Sequence, residues 1–95
     1  MPGDPEFRMA IEDIFFIRGR GTIVTGVISQ GTLSVGDFLT LNGCEGENQI
    51  EVAGIEIFRR RTHTAHAGER VGVVLRGISK DEVSRGDMLA CSYSY

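Results

Sequence analysis

The sequence has no tryptophan, only two prolines and two cysteines in 95 residues, and no long hydrophobic run. Cys44 and Cys91 stand alone without a Cys-x-x-Cys pair, so neither a zinc site nor a disulfide framework is indicated, and reduced thiols are expected. No segment approaches the ~18 apolar residues of a membrane helix. Residues 1–7 carry neither a signal-peptide core nor a transit pattern. We therefore expect a cytoplasmic protein without membrane contact.

A strong positive charge is also lacking, because the formal net charge is −3. Bulk electrostatic attraction to nucleic acid is thereby excluded, no DNA partner is expected, and any contact with RNA must be local. The positive charge is clustered in one stretch, residues 59–76, whereas residues 4–13 are acidic. A solvated charged face is the plainer interpretation of that cluster.

Catalytic and nucleotide-binding motifs are missing as well. The run from Gly21 to Gly26 is followed by Val27, where a phosphate-binding loop needs lysine. Gly-x-Ser-x-Gly does not occur. His63 and His66 could share a metal only if their segment turned helically, and solvated side chains are the more common outcome. We expect no enzyme activity, no cofactor and no metal.

What the sequence does contain is short segments rich in Ile, Val, Phe and Thr, punctuated by 13 glycines. This pattern is typical of an all-β barrel or sandwich. Strands are predicted over residues 7–17, 22–30, 37–41, 49–60, 70–76 and 87–91. Turns with late glycines at 17–21 and 34–37 should join neighbouring strands as hairpins. The Ser79–Glu82 pair has capping-box spacing and predicts one helical turn.

Side-chain alternation along the strands predicts which residues face the core. Inward positions are expected to be Val71, Val73 and Leu75 on one strand, and Ala53, Ile55 and Ile57 on another. Val74, Glu56 and Phe58 then face outward. These outward residues could form a recognition patch, or they could be covered by a loop and bind nothing.

Several motifs, in order, resemble domain 2 of elongation factor Tu. They lie at residues 7–9, 11–13, 17–26, 52–59, 67–78 and 85–87. The resemblance implies a closed six-stranded Greek-key β-barrel over residues 7–91, with a flexible N-terminal arm at 1–6 and a C-terminal tail at 92–95. It covers one barrel only, so neither the GTPase domain nor the third domain of that factor is expected in this sequence.

The resemblance also implies a function, which is holding the aminoacylated 3′ end of transfer RNA. Glu56 would lie against the terminal adenine and its ribose, and Arg59 near the terminal phosphate. Guanidinium groups make bidentate bonds to phosphate, so the arginines at 18, 20, 59, 60 and 61 could contact phosphates, although their spacing alone is unspecific. Of these, Arg20 is added to the expected set. The full set of expected RNA-binding residues is Ile17, Gly19, Arg20, Ile23, Glu56, Arg59 and Val74.

Other partners remain open. Similar barrels contact ribosomal RNA, so ribosomal RNA is a second candidate ligand. The faces that pack on a GTPase domain in such factors could instead make this chain a protein-interaction module that docks onto a translational GTPase domain. Residues 60–66 depart from the family pattern and are more basic here.

Overall fold

The chain is described from a computed structural model, which covers residues 5–42 and 50–92. The predicted arm and tail lie mostly outside these ranges, as does Cys44. The strands are β1 Pro5–Ala10, β2 Asp13–Ile17, β3 Gly21–Ser34, β4 Phe38–Leu41, β5 Ile50–Ile57, β6 Arg60–Thr62, β7 Thr64–His66, β8 Arg70–Arg76 and β9 Met88–Ser92. One 3₁₀ turn, Lys80–Glu82, precedes β9. In these ranges we find no helix with the length and apolar character needed to cross a bilayer.

Six of the strands form a closed antiparallel ring. Their order is β1, β9, β4, β5, β8 and β3, and β3 pairs again with β1. β4, β5 and β8 are consecutive neighbours in that ring. β3 precedes all three in the sequence but lies beside β8 and not beside β4, so the connection from β3 to β4 is the long connection of a Greek key. β2, β6 and β7 are appended to β3 and β5. The predicted closed six-stranded Greek-key barrel is confirmed.

The barrel interior is a continuous apolar core. Val71, Val73 and Leu75 are buried as the alternation predicts, at 2%, 0% and 3% exposure. Full burial of one such side chain contributes roughly 1.5–3 kcal/mol. All six ring strands contribute to the largest fully buried side chains, which are Phe7, Met9, Val24, Ile28, Leu33, Leu39, Ile50, Val52, Ile55, Val73 and Leu89.

The single strand predicted over residues 7–17 is wrong, because the chain bends between β1 and β2. At the bend, Ile11 leaves β3 and exchanges hydrogen bonds with the segment before β9. Its N–H donates to the carbonyl of Asp87 at 2.8 Å, and its carbonyl accepts from the N–H of Gly86 at 2.8 Å. β1 and β2 therefore lie along different parts of β3.

Residues 60–66, of which only the first lies in a predicted strand, also form strands. They form β6, which pairs with β5, and β7, which pairs with the last residues of β3. β3 is correspondingly longer than predicted, since its end is paired with β1 and β7 beyond Gln30. These two short strands were not predicted, because most of their side chains are charged or polar and face solvent.

The predicted hairpin at residues 17–21 is confirmed. Gly19 and Gly21 have φ of 87° and 108°, conformations that favour glycine, and the N–H of Arg20 donates to the carbonyl of Ile17 at 2.9 Å. The result is a tight loop that joins β2 to β3 and holds Arg20 at one end of the barrel.

The predicted turn at residues 34–37 forms, but it does not make a hairpin. Asp37 closes the turn by donating its N–H to the carbonyl of Ser34 at 3.1 Å. Gly36 donates instead to the carbonyl of Val52 in β5 at 2.8 Å, so the chain crosses to β5, and β4 pairs with β5 and β9.

The capping box before the 3₁₀ turn is confirmed. The Glu82 carboxylate accepts hydrogen bonds from the N–H of Ser79 at 2.9 Å and from its hydroxyl at 3.2 Å. The bond from the N–H of Glu82 to the carbonyl of Ser79, at 3.0 Å, is the backbone bond of the 3₁₀ turn itself. This turn closes one end of the barrel beside β2.

Candidate nucleic-acid interface

The outer face of the sheet carries an apolar row that crosses four strands. The cross-strand pairs are Phe15 with Ile23, Ile23 with Val74, and Val74 with Gly54. Ile23 and Val74 are only 7% and 6% exposed although they lie outside the continuous core, whereas Phe15 is 50% exposed. Glycine at position 54 leaves open space over Val74, because it has no side chain to fill it.

A β-bulge shapes this part of β5. Val52 pairs with Leu75 and Gly54 pairs with Val74, so Ala53 is an extra residue without a partner on β8. The prediction that Ala53 faces the core is therefore wrong: Val52 is fully buried and Ala53 is partly exposed. Beyond the bulge the alternation is as predicted, with Ile55 buried and Glu56 on the outer face.

A cavity of about 300 Å³ lies over this row. Its apolar part comes from Val74 and the bulged segment of β5, and its polar part from one carboxylate and three guanidinium groups. The lining residues are Arg20, Val35, Ala53, Gly54, Ile55, Glu56, Arg61, Thr62, Val74 and Arg76.

An ion pair between Arg20 and Glu56 spans the cavity. The guanidinium of Arg20 donates to the carboxylate of Glu56, and the two side chains are 34% and 30% exposed. Partly exposed pairs of this kind contribute only about 0.2–1 kcal/mol to stability. Their significance here is chemical, since a hydrogen-bond acceptor and several donors lie beside an apolar surface.

Arg59 does not line this cavity. It lies in the two-residue turn between β5 and β6. Phe58 and Arg59 both have positive φ, 51° and 65°, in a turn where Asn-Gly is the favoured sequence. Phe58 is 94% exposed. Arg59 and Glu56 line a neighbouring depression together with Phe15 and Phe58. Strained, exposed positions of this kind are concentrated at functional surfaces.

The structure thus brings together part of the predicted set. Arg20, Glu56 and Val74 line the cavity, and Ile23 lies opposite Val74 in the register. Arg59 borders the adjacent depression, whereas Ile17 and Gly19 lie at the β2–β3 turn outside the cavity lining. Ile17 is 43% exposed.

Two further arginines of the cavity lie outside the expected set of RNA-binding residues, although Arg61 was named as a possible phosphate contact. Arg61 lies opposite Glu56 in the β5–β6 pairing, and Arg76 ends β8 and contacts Glu51 at 3.3 Å. The signal for Arg61 was available in principle, since a two-residue turn at 58–59 fixes that register. Arg76 reaches the cavity only because β8 pairs with β3 and β5, and these long-range pairings could not be predicted from the sequence.

The histidines do not come together in a metal site. Within residues 5–42 and 50–92 no group of three or more His, Cys, Asp or Glu side chains is arranged to hold a metal ion. His66 Nδ1 lies 3.4 Å from the hydroxyl of Thr32, and its backbone N–H donates to the Glu69 carboxylate at 2.6 Å. Glu69 therefore stabilises the turn after β7.

A closed six-stranded Greek-key barrel is the architecture of the second-domain β-barrels of translation factors. The sequence matches the family model of elongation factor Tu domain 2 over residues 21–90, and the chain belongs to that family. Its structure is similar to that of translation elongation factor SelB from Methanococcus maripaludis in the apo form, with a TM-score of 0.82 and 32% sequence identity. That match covers 96% of this chain and 19% of the SelB chain, so the present chain spans about a fifth of its length.

Proposed function

We propose that this barrel is a non-enzymatic RNA-binding module that holds the 3′ end of an aminoacylated transfer RNA, or an exposed nucleotide of ribosomal RNA, in the cytoplasm. The observation that carries the proposal is the cavity in which the Arg20–Glu56 pair lies over Val74. Membership of the elongation factor Tu domain 2 family supports a role in translation.

The cavity has the chemistry that a single nucleotide needs. Its volume of about 300 Å³ is at the small end of ligand sites, which suits one base. Val74 and the neighbouring β5 segment at residues 53–54 form an apolar wall for the face of the base. The Glu56 carboxylate can accept hydrogen bonds from an exocyclic amine or a ribose hydroxyl, and Arg59 and Arg61 can donate to phosphate.

Binding is expected to be weak and sensitive to salt. The net charge of −3 gives no long-range attraction, so affinity depends on a few local phosphate contacts. A module of this kind should bind with a Kd of ~10⁻⁴ to 10⁻⁶ M, and the affinity should fall as salt is raised.

The test is an NMR titration of the labelled protein with a CCA-ended acceptor minihelix, first aminoacylated and then deacylated. We expect shifts at Val74, Glu56 and Arg59, and loss of binding by about tenfold in Glu56→Gln, which keeps the size of the side chain. Glu69→Gln is the matched control, since its amide oxygen can still accept the N–H of His66. Unchanged binding in Glu56→Gln would refute the proposed site.

A second function is favoured by the exposure of Phe58, which is unusual for an aromatic residue. In this alternative the barrel docks onto a translational GTPase domain or another protein through the Phe58 turn. Pull-down with and without nuclease separates the two functions, because RNA-dependent recovery is lost on digestion. A direct assay of GTP hydrolysis should show no turnover by the pure chain, which has no phosphate-binding loop.

A further inference from the structure

A second groove, about 470 Å³ in volume, lies at the end of the barrel next to the cavity. It is bounded by Phe16 of β2, the start of β3, the end of β8 and the 3₁₀ turn. Arg20, Ala53 and Arg76 line both the groove and the cavity, so the two spaces meet along the rim of the barrel.

The two spaces lie on opposite faces of the sheet. Phe16 pairs with Thr22, whose side chain is turned inward, is 3% exposed and donates to the carbonyl of Ile78 at 3.1 Å. Val74 is on the outer face, under the cavity. A ligand that occupies both spaces must therefore cross the rim between Arg20 and Arg76.

The groove combines an aromatic face with positive charge. Phe16 is 60% exposed, and Lys80 is exposed and makes no ion pair within the described part of the chain. The Arg76 side chain is 68% exposed, and its contact with Glu51 at 3.3 Å leaves donors for another acceptor. The acidic side chain in the groove, Glu82, is bonded to the N–H of Ser79.

Cations at a rim and an exposed aromatic ring beside them are the elements with which proteins bind single-stranded RNA. Arginine donates bidentate hydrogen bonds to phosphate oxygens. Bases stack on aromatic rings largely independently of sequence. The bulge at Ala53 lies where the two spaces meet, and bulges are common next to binding sites.

We infer that the groove is a second nucleotide subsite, which takes the residue preceding the RNA 3′ end. With the terminal base in the cavity, the connecting phosphate lies at the rim between Arg20 and Arg76, and the preceding base stacks on Phe16 near Lys80. This inference rests on the proposed function and extends it from one nucleotide to two.

The wild-type protein provides the first test, by NMR titration with adenosine monophosphate and with the dinucleotide CpA. Both ligands should shift the signals of Val74 and Glu56. Adenosine 5′-monophosphate already carries the phosphate that joins the two nucleosides of CpA, so both ligands should also shift Arg76. CpA alone should shift Phe16 and Lys80, and it should bind about tenfold more tightly, because stacking of the second base is added.

Variants assign that gain to the groove. Phe16→Ala should lower the affinity for CpA to that for adenosine monophosphate and leave the mononucleotide unaffected. The control is Phe38→Ala, which removes a phenylalanine that is 54% exposed on β4 and lines neither space. Arg76→Gln should reduce the salt dependence of CpA binding by about one unit of log–log slope, and Arg8→Gln on the exposed side of β1 should not.

The outcomes separate the two ideas. Equal affinity of the wild type for the two ligands, with no shifts at Phe16, would overturn the second subsite and leave the cavity proposal intact. Absence of shifts at Val74 and Glu56 with either ligand would overturn the proposed function. Shifts confined to the groove would show that the terminal base does not bind in the cavity. That result would overturn both the proposed function and the two-nucleotide binding mode.

Discussion

Replacing Gly26 with alanine should open the barrel where its ring closes. Gly26 lies in β3 under the end of β1, and a Cβ atom there would meet the backbone carbonyl oxygen of Ala10 at well under 3.0 Å, a separation that real Cβ atoms essentially never show. The obstacle is backbone, which cannot rotate away as a side chain can. β1 would have to retreat from β3, and the β1–β3 pairing is the one that closes the ring.

The expected cost follows from this geometry. Overpacking of a well-packed site costs typically 1–3 kcal/mol, and a backbone clash at a strand pair belongs at the upper end of that range. We expect the free energy of unfolding to fall by about 2–4 kcal/mol, from a total of about 5–14 kcal/mol for a chain of this length. At about 4–8 °C per kcal/mol, Tm should fall by roughly 8–32 °C.

Urea unfolding followed by circular dichroism measures this change, and Gly72→Ala is the matched control. Gly72 is also a strand glycine, but its added Cβ would lie 3.9 Å from Thr25 and 4.0 Å from Ile23, which is ordinary contact. Its stability should stay within about 1 kcal/mol of the wild type. If Gly26→Ala proves as stable as Gly72→Ala, the closing contact does not restrict β3 as we argue.

Two further changes test other parts of the fold. Thr22→Val should cost about 1–2 kcal/mol, because the carbonyl of Ile78 loses its buried donor, whereas Thr64→Val on the exposed side of β7 should be nearly neutral by thermal unfolding. Replacing Phe58 and Arg59 together with Asn-Gly should stabilise the barrel by roughly 1–2 kcal/mol, since both positions have positive φ, and should weaken RNA binding; unchanged or lower stability would contradict the strain at this turn.

The barrel itself could be predicted from the sequence because its signals are local and repeated. Val71, Val73 and Leu75 alternate cleanly with residues that face outward, and the strand that contains them was predicted with its observed bounds. Gly19 and Gly21 occupy the positive-φ positions that a tight hairpin requires. Each of these features depends on a few neighbouring residues, and the physical rule for each is independent of the rest of the fold.

The errors occurred where distant strands override the local pattern. The break after Ala10 exists because Ile11 bonds to the segment at 86–87, more than 70 residues away in the sequence. The bulge at Ala53 depends on the register between β5 and β8, and no feature of β5 alone indicates it. The predicted alternation was therefore correct after the bulge, at Ile55, but it wrongly assigned Ala53 at the centre of the bulge to the core.

The candidate site was predictable in its parts but not in its arrangement. Outward alternation identified Val74 and Glu56, and the phosphate-binding chemistry of guanidinium groups identified Arg20. Neither indicated that the Arg20 side chain would cross the cavity to Glu56, because that contact joins a turn to a strand 36 residues further along the chain. The extent of the cavity likewise depends on the missing side chain at Gly54.

The pairing of β1 with β9 bears on how the chain reaches its native state. Phe7 and Cys91 are partners in that pair, so one of the earliest described residues meets one of the last. Loop closure over such a distance is slow, and the ring cannot be completed until β9 has been synthesised. The same pairing places both described ends at one pole of the barrel, with Pro5 opposite Ser92. Joining these ends and cutting the chain at the Phe58 turn would give a circular permutant with the same ring and a different order of assembly.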